Sequence, residues 1–405
     1  MFFIYQILLT ILLILSPIII IFRILKNKED KKRYSEKFSV PSKKRKNGNL
    51  IWFHGASVGE ILSIIPLVKY YEKKKKVNQI LITSSTLSSS RVIKKFKFKK
   101  SIHQFFPIDH LFFVNKFLDY WKPSLAIFID SEIWPYMYKK IYSKNISLIL
   151  LNARLTKKTF NRWIKIKFFS KLIFNKIKIA YPQNRETRKF LKKLNIKKIK
   201  ELGNLKFTEN REFNKNKISE KLKLQLKGKK IWIASSTHVG EEIFCAKAHI
   251  ELKKKIKNLI TIIIPRHVHR VNEIASEIKK LNLKVAIHSN KNNNLKGIDI
   301  YLVDTFGETN IFHQIGATVF LGGSVIKRGG QNPLEAARYG AKILHGPNID
   351  NFKDVYKLLK KLKISKKIVT PIQLASSVQF NKNKKIGIKI KNIGEKILKK
   401  TIKEL

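Results

Sequence analysis

Acidic side chains that directly follow apolar runs are the first candidates for chemistry, because this chain of 405 residues contains only 27 acidic residues. Glu60 ends the segment HGASVGE (residues 54–60), in which an apolar run turns into an amphipathic stretch. A carboxylate there can act as a general base, and the positive end of a helix dipole keeps it ionised. The same spacing fits a first-turn glutamate that only stabilises its helix, so both interpretations stay open.

Asp130 and Glu132 follow the apolar run 125–129 in the segment DSEIWP. Two carboxylates two residues apart suit acid/base chemistry or hydroxyl binding, whereas an N-cap aspartate with an acidic first turn has the same spacing. Lys206, in the segment GNLKF (residues 203–207), places a cation at the end of the first half of the chain. An isolated lysine of this kind is more often a solvated surface residue.

Two loops of the second half also carry polar groups. Pro265 and Arg266 end the apolar run 259–265, and an arginine there can bind phosphate or carboxylate oxygens with its planar fork. Phe306, Gly307 and Glu308 follow the run 300–303. His267 and His269 have the spacing of a metal pair, but no third ligand lies near them in the sequence, so we predict no metal.

The strongest local signal is a glycine-rich segment, GGSVIKRGGQNPLEAA (residues 322–337). Glycines let a backbone approach a phosphate closely, and a helix N-terminus receives the charge. Asn332 is predicted as N-cap and Pro333 as first helical residue, followed by Leu334 and by Glu335, which can accept hydrogen bonds from ribose hydroxyls. A well-capped helix would explain Asn332 and Pro333 but not the glycines, so the segment predicts a nucleotide site.

Short apolar runs that alternate with helical patterns must position these residues. In the first half they are 49–54, 79–83, 125–129, 146–151, 176–181 and 199–203, and in the second half 231–234, 259–265, 284–288, 300–303, 318–321 and 342–345. Such alternation is typical of parallel sheets covered by helices on both faces. We therefore predict two doubly wound, Rossmann-like α/β domains that face a cleft, with ligands at the carboxyl ends of their strands.

The N-terminus predicts a membrane anchor. Residues 2–22 contain no charge and are long enough to cross a bilayer as a helix, with no basic start or cleavage site of a signal peptide. The Lys/Arg-rich residues that follow place that side in the cytoplasm. Pro17 allows either a kinked span or a segment that only enters one leaflet. The predicted order is anchor 1–25, basic linker 26–48, domain 49–209, linker 210–230 and domain 231–405.

The composition excludes little beyond a disulfide framework. The net charge is +58, from 85 Lys and Arg against 27 Asp and Glu, and Cys245 is the only cysteine. A basic chain attracts phosphate-bearing partners, but lysines that occur throughout also fit a biased genome composition. They are not interleaved with stacking aromatics, so no nucleic-acid partner is predicted.

Eight segments, taken together and in this order, resemble the Kdo (3-deoxy-D-manno-octulosonic acid) transferases of Gram-negative bacteria. They are HGASVGE, DSEIWP, NARLT (152–156), GNLKF, SSTHVGEE (235–242), PRH (265–267), FGE (306–308) and GGSVIKRGGQNPLEAA. The resemblance implies a GT-B glycosyltransferase anchored in the inner membrane, with both domains on the cytoplasmic face. It covers the chain from the N-terminal anchor to about residue 354, so the final fifty residues lie outside it.

The resemblance also implies roles for single positions. Glu60 would be the general base, and Asp130 and Lys206 would stabilise the transition state. The CMP-binding residues would be Pro265, Arg266, Phe306, Gly307, Glu308, Asn332, Pro333, Leu334 and Glu335. The chain departs from the usual family residues at Asp130 (usually Glu), Val239 (Glu), Val268 (Pro), Phe306 (Met) and Gln331 (His).

The implied reaction moves Kdo from CMP-Kdo to a lipid A precursor, lipid IVA, in lipopolysaccharide core biosynthesis, by an inverting displacement that needs no cofactor or metal. The anchor would bring the catalyst to an acceptor that stays in the bilayer, and membrane lipids would be further partners. Two alternatives remain: another membrane-associated GT-B enzyme with a different nucleotide sugar, and a basic membrane-anchored nucleic-acid binder.

Overall fold

In a computed structural model, which describes residues 2–209, 218–290 and 294–405, the chain divides into two units. The first unit is Met1–Asn210 together with Gly394–Leu405, and the second is Arg211–Ile393. Each unit contains one parallel β-sheet with helices around it. The predicted fold class of two doubly wound α/β domains is confirmed.

The first sheet has strand order β3-β2-β1-β4-β5-β6 in the described part of the first unit. Its strands are β1 (Leu50–His54), β2 (Gln79–Ser84), β3 (Ser101–Phe105), β4 (Leu125–Ile129), β5 (Ser147–Ala153) and β6 (Ile179–Pro182). The helices are α1 (Phe2–Leu25), α2 (Val58–Glu72), α3 (Leu87–Lys94), α4 (Leu111–Trp121), α5 (Pro135–Ser143), α6 (Lys157–Lys165), α7 (Lys167–Phe174) and α8 (Arg185–Lys193). Short 3₁₀ turns cover Tyr34–Phe38 and Leu205–Thr208.

The second sheet has strand order β13-β12-β11-β7-β8-β10-β9 in the described part of the second unit. Its strands are β7 (Lys230–Thr237), β8 (Leu259–Pro265), β9 (Val285–Ile287), β10 (Ile300–Leu302), β11 (Thr318–Leu321), β12 (Lys342–His345) and β13 (Ser365–Lys367). The helices are α9 (Glu220–Leu226), α10 (Glu241–Lys253), α11 (Val271–Lys279), α12 (Thr309–His313), α13 (Leu334–Ala337), α14 (Lys353–Lys361), α15 (Pro371–Ser377) and α16 (Lys384–Glu404). Further 3₁₀ turns cover Val268–Arg270 and Asp350–Phe352.

Burial on both faces explains why the central strands read as unbroken apolar runs. All five residues of β1 and all seven of β8 are buried. Around Trp52 of β1, the rings of Phe117 and Phe128 pack at 5.0 Å between centroids. Polar N-caps then begin the helices that follow, as Ser57 does for α2.

The strand predictions for 125–129, 259–265, 318–321 and 342–345 are confirmed residue by residue. The strand predicted at 199–203 is wrong, because only Ile199 makes an isolated bridge, to Ala180. Two strands were missed, β3 and β13. β13 is an edge strand with two exposed lysines, so its sequence lacks the apolar signal of a buried strand.

The predicted domain boundaries need one correction. The last twelve residues, Gly394–Leu405, belong to the first unit rather than to a continuous second domain. The predicted basic linker 26–48 is folded, with Glu36 fully buried and accepting hydrogen bonds from Phe105 N and the Arg33 guanidinium. Residues 210–217 of the predicted linker 210–230 lie outside the described residues, and α9 lies in its remainder.

The predicted N-terminal helix is confirmed as α1, and Pro17 lies inside it. Among the described residues it is the one helix that is long and apolar enough to cross a membrane. Most of its side chains are exposed.

Candidate functional site

Polar side chains gather at the carboxyl ends of β1, β4 and β5 in the first unit. Glu60 lies in the first turn of α2, which follows β1, while Asp130 follows β4 and Asn152 lies near the end of β5. β1 and β4 are neighbours in the sheet, although about 70 residues separate their sequences. The topology therefore brings the HGASVGE and DSEIWP segments to one edge.

Glu60 is held by the start of its own helix. One carboxylate oxygen accepts a hydrogen bond from Ala56 N at 2.7 Å, and the other accepts one from the Ser57 hydroxyl at 2.7 Å. Ser57 in turn accepts from Glu60 N as N-cap of α2. The arrangement resembles a capping box, so the helix-stabilising interpretation of Glu60 is present in the structure.

The electrostatic surroundings of Glu60 differ from the expectation. Burial, with the negative charges of Asp130 and Glu132, raises the pKa of Glu60 from its ordinary value to about 7, against the lowering effect of its hydrogen bonds to Ser57 and Ala56. The prediction that the helix dipole keeps this carboxylate ionised is therefore wrong near pH 7, because loss of solvent outweighs the helix end. A carboxyl group with this pKa is well suited to take a proton at neutral pH.

Asp130 is bound on two sides by other residues of the site. It has a left-handed backbone, with φ of 56°, and its side chain accepts a hydrogen bond from the Asn152 amide at 2.5 Å. Lys206 Nζ lies 3.9 Å from the second carboxylate oxygen. Burial raises the pKa of Asp130, and the Lys206 charge and the Asn152 hydrogen bond oppose that rise. The alternative interpretation as an N-cap is wrong, because α5 begins five residues later.

Asn152 connects Asp130 to the segment that carries Lys206. Its side-chain oxygen accepts from Leu205 N at 2.9 Å, while its amide donates to Asp130. Asn152 also has positive φ, 53°. From the sequence, residues 152–154 after their apolar strand were expected to hold either an anion or another loop, and Asn152 holds the loop of Leu205.

Glu132 is fixed by two aromatic neighbours. Its carboxylate lies 3.0 Å from Trp134 Nε1 and 3.2 Å from His54 Nε2. The His54 ring stacks on Phe106 at 3.8 Å and contacts the Thr83 hydroxyl with its other nitrogen. Glu132 therefore holds a defined position from which its charge acts on Glu60.

The second unit presents a basic cluster at the ends of β7 and β8. Arg266, His267 and Arg328 are exposed, and the His238 and His267 ring centroids are 5.7 Å apart. Burial lowers the pKa of His238, and the charges of His267, Arg328 and Arg266 lower it further, against the raising effect of Glu241. His238 Nε2 is buried and has no hydrogen-bond partner among the described residues. This combination fits an anion.

The first part of the glycine-rich segment is already occupied by a carboxylate of the chain itself. Glu241 is fully buried and accepts hydrogen bonds from the backbone amides of Gly323, Ser324 and Val325 at 2.6–3.1 Å. Glu241 accepts a fourth hydrogen bond from His238 N at 3.1 Å. A Cβ on Gly322 would overlap the Ser236 carbonyl oxygen and lie 2.8 Å from the Glu241 carboxylate, so glycine is required there for a different reason from the predicted close approach of a phosphate.

The NPLE segment forms a shorter helix than predicted. α13 has four residues and begins at Leu334, with Pro333 rather than Asn332 in the capping position. The Asn332 side chain nevertheless accepts a hydrogen bond from Leu334 N at 3.1 Å. Pro333, Leu334 and Glu335 are buried. A helix of one turn has little macrodipole, so a phosphate site built on this helix start is not supported.

Pro265, Phe306, Gly307 and Glu308 lie at the strand ends or in the loops where they were predicted. Pro265 is the buried last residue of β8, and the Phe306 side chain is 81% exposed. Glu308 accepts a hydrogen bond from Thr305 and lies 3.1 Å from His288 Nε2. His288 was missed by sequence reasoning. In the described part of the chain, no three His, Cys, Asp or Glu side chains are grouped so as to hold a metal ion.

Comparison with known sequences gives one consistent result. The family model for 3-deoxy-D-manno-octulosonic-acid transferases matches residues 32–209. The 3-deoxy-D-manno-octulosonic acid transferase of Rickettsia bellii is 34% identical over 397 residues, which cover 98% of this chain and 94% of that protein. The protein of the same name from Haemophilus influenzae is 29% identical and covers 76% of this chain and 73% of its own.

Solved structures support the fold. A putative UDP-N-acetylglucosamine 2-epimerase from Listeria monocytogenes has a TM-score of 0.56 at 14% identity, covering 87% of this chain and 91% of that chain. A glycosyltransferase from Rickettsia africae ESF-5 has a TM-score of 0.55 at 11% identity, covering 88% and 98%. At such low identity the likeness shows the fold alone, which is of the predicted GT-B type.

Proposed function

This chain belongs to the 3-deoxy-D-manno-octulosonic acid (Kdo) transferase family, and we propose that it moves Kdo from CMP-Kdo to lipid IVA with inversion at the anomeric carbon. The observation that carries the proposal is the half-buried carboxyl group of Glu60, whose pKa is raised to about 7 by burial and by the charges of Asp130 and Glu132. A general base for a sugar hydroxyl requires such a group at neutral pH.

In the proposed reaction, Glu60 takes the proton of the acceptor hydroxyl as the oxygen attacks the anomeric carbon of Kdo. The new bond forms from the acceptor oxygen, and the bond from that carbon to the CMP phosphate oxygen breaks. The electron pair leaves with the phosphate, so CMP departs as an anion and Glu60 is protonated. One base and one good leaving group suffice for a single displacement, which inverts the anomeric centre.

Asp130 and Lys206 would act on the transition state as a charged pair. Lys206 Nζ lies 3.9 Å from the Asp130 carboxylate, and its charge would stabilise a negative charge that develops beside this pair. Asp130 is one methylene shorter than the usual family residue, and a hydrogen bond from Asn152 holds its carboxylate in position.

CMP would bind to the second unit. Arg266 supplies a planar, permanently charged fork for phosphate oxygens, and Arg328 adds positive potential. The pKa values of His238 and His267 are lowered, so these rings would offer uncharged N–H donors. Pro265, the Phe306–Glu308 loop and Asn332–Glu335 would hold the nucleoside. Glu335 is buried at 8% exposure, which would give a hydrogen bond to a ribose hydroxyl more strength than it has in water.

The acceptor explains the apolar N-terminal helix. A lipid A precursor carries acyl chains and stays in the inner membrane. An enzyme anchored in that membrane would encounter it by lateral diffusion. The cytoplasmic lysines would attract both its phosphates and the anionic headgroups around it, each near charge contributing about 1 kcal/mol.

The test is incubation of the purified full chain in detergent with CMP-Kdo and lipid IVA, followed by mass spectrometry of the lipid and assay of free CMP. The expected result is a lipid heavier by whole Kdo units and one CMP released for each unit. CMP release without a heavier lipid would contradict the acceptor. Transfer from a UDP-sugar, or binding of an oligonucleotide in preference to CMP, would contradict the donor.

A further inference from the structure

The less exposed residues of α1 form a stripe along its whole length. They are Phe2, Tyr5, Gln6, Leu9, Leu13, Ser16, Ile20, Arg23 and Ile24. At 3.6 residues per turn these positions fall within an arc of about 100°, and the stripe is about 33 Å long. The rest of the protein therefore covers one face of the helix from its first turn to its last, and Ile20 near the C-terminal end is only 9% exposed.

The N-terminal end of α1 is attached to the first unit by polar and aromatic contacts. The Tyr5 hydroxyl donates to Asp109 at 2.8 Å, and the Gln6 amide lies 2.6 Å from His110 Nε2. Phe2 packs its ring against Tyr136 and Phe169, with centroids 5.5 Å and 4.9 Å away. Asp109 is itself buried and also accepts hydrogen bonds from two backbone amides of α5.

The C-terminal end of α1 is attached to the same unit through the segment that follows it. Arg23 bonds to the buried carboxylate of Glu29 at 3.0 Å, and Lys37 binds the same carboxylate. The Lys37 carbonyl accepts from Ile108 N at 2.9 Å, next to the residues that hold the N-terminal end. A helix that crosses a bilayer would have its two ends on opposite sides of a core about 30 Å thick.

The opposite face of α1 is wholly apolar apart from Thr10, and it is exposed. Exposed aromatic side chains continue this surface at its N-terminal half: Phe112 is 62% exposed and Phe168 is 75% exposed. Each is close in sequence to a residue that contacts α1, His110 and Phe169 respectively. The apolar surface is therefore wider than the helix alone.

Lysines surround this apolar surface. Lys139 Nζ lies 4.7 Å from the Phe2 ring centroid, and Lys26 Nζ lies 4.2 Å from that of Phe22. Lys167 and Lys171 are exposed on α7 beside Phe168. In an anionic lipid leaflet, the apolar residues would lie in the acyl layer and the surrounding lysines would meet the charged headgroups. A second copy of the chain is a poorer partner for this surface, because its lysines would repel those of the first copy.

We propose that α1 lies in the plane of the membrane and does not cross it, with its exposed face and the side chains of Phe112 and Phe168 in the apolar layer of one leaflet. The first unit then rests on the leaflet surface over the length of the helix. The N-terminal and the C-terminal end of α1 then both lie on the cytoplasmic side of the membrane.

Depth measurements along the exposed face test this orientation. Ile4, Ile11 and Ile18 are seven residues apart, exposed, and on the same side of the helix. Cys245 is the only cysteine of the chain, so a Cys245→Ser chain offers no other site for a thiol label. In that chain Ile4, Ile11 or Ile18 is replaced by cysteine, one at a time, and labelled with one fluorophore. In vesicles with quenchers at known depths in the lipid chains, the three labels are expected at equal, shallow depths within a few ångströms.

Two outcomes would overturn the proposal. A label at residue 11 near the bilayer centre, with those at 4 and 18 near opposite surfaces, would show a spanning helix. Labels that no lipid quencher reaches would show that something other than lipid covers this face. The unfolding temperature of each labelled chain, compared with the parent, verifies that folding is preserved.

The aromatic rim gives an independent readout. The double variant Phe112→Ser/Phe168→Ser is expected to bind vesicles containing anionic lipid at least tenfold more weakly, because two large apolar side chains are lost from the interface. Leu224→Ser/Ile372→Ser is the matched control, since both residues are exposed to a similar degree but lie in the second unit. Equal weakening by both pairs, or by neither, would contradict the assigned surface.

Discussion

The two units share one architecture and use the ends of their strands in opposite ways. In the first unit, carboxyl groups lie together, and burial raises the pKa of both the half-buried Glu60 and the buried Asp130. In the second, arginines and histidines lie together, and burial with neighbouring cations lowers the pKa of His238 and His267. One edge is ready to accept a proton and the other to accept an anion.

In the proposed reaction, this difference assigns the proton transfer to one unit and the binding of the donor phosphate to the other. The parallel sheets only fix where loops meet, and the residues of those loops decide which charge is stabilised. Removing a carboxyl group from the first unit should therefore impair chemistry with donor binding intact, and removing a cation from the second should do the reverse.

The largest expected effect is on Glu60→Gln. The amide can still accept the hydrogen bond from Ala56 N but cannot take a proton, so turnover should fall about 10²–10⁴-fold while the Kd for CMP is unchanged. Transfer assays and calorimetric CMP titration measure the two quantities. Ser57→Ala is the control for helix capping: it should lower the unfolding free energy by about 1 kcal/mol and change turnover only a few-fold. If Glu60→Gln and Ser57→Ala lowered turnover equally, Glu60 would act only in capping the helix and not as the base.

The next effect is on the basic cluster. Arg266→Gln/Arg328→Gln should weaken CMP binding about 100-fold, because two permanent charges leave the anion site and each contributes about tenfold. Arg188→Gln is the matched control, since it removes an exposed arginine of the first unit that pairs with Glu201. If salt addition weakened CMP binding equally in the double variant and the parent, the two arginines would not be in contact with the phosphate.

A smaller effect is expected for Asn152→Ala. Loss of its side chain removes one hydrogen bond from the Asp130 carboxylate and leaves Leu205 N without its acceptor. Lys206 should therefore no longer be held at a fixed distance from Asp130. We expect about a tenfold fall in kcat with little change in the KM for CMP-Kdo, together with a loss of about 1–3 kcal/mol in unfolding free energy. A fall in stability with unchanged kcat would make Asn152 purely structural.

The smallest effect is that of pH. Glu60 must be ionised to act as base, and its pKa is raised to about 7. From pH 7.5 to 6.5 the ionised fraction, and with it kcat/KM, should therefore fall about threefold. A pH–rate profile without an acid limb near 7 would argue against Glu60 as the base.

Stability should have the opposite dependence on pH. A carboxyl group with a raised pKa favours folding when protonated, so its contribution is fully present below the ordinary value of 4.5 and is lost as the pH rises through about 7. The Glu60→Gln variant has no such group, so its unfolding temperature should fall less between pH 5 and 8 than that of the parent chain.

Sequence reasoning predicted the parts of the molecule in which local pattern decides structure. The strands β4 and β8 were predicted to the residue because both are buried on two faces and read as unbroken apolar runs. The strand β3 was missed because its sequence, SIHQF, mixes polar and apolar residues.

The sites depend on neighbours that the sequence keeps far apart. The raised pKa of Glu60 follows first from burial, and then from the pairing of β1 with β4, which brings Asp130 and Glu132 towards it. The glycines Gly322 and Gly323 predicted a nucleotide phosphate in contact with backbone amides. The carboxylate of Glu241, some 80 residues earlier in the chain, is bound there instead, and no local pattern connects the two segments.

The return of Gly394–Leu405 to the first unit has a consequence for biosynthesis. Ile397 lies against Gly203, and a Cβ on Gly394 would overlap the Phe207 carbonyl, so the last turns of α16 support the 3₁₀ turn that contains Lys206. Residues 394–405 follow the whole second unit in the chain, so they are translated long after α1. The turn that carries Lys206, proposed above to stabilise the transition state, therefore gains this support only after residues 211–393 have been synthesised.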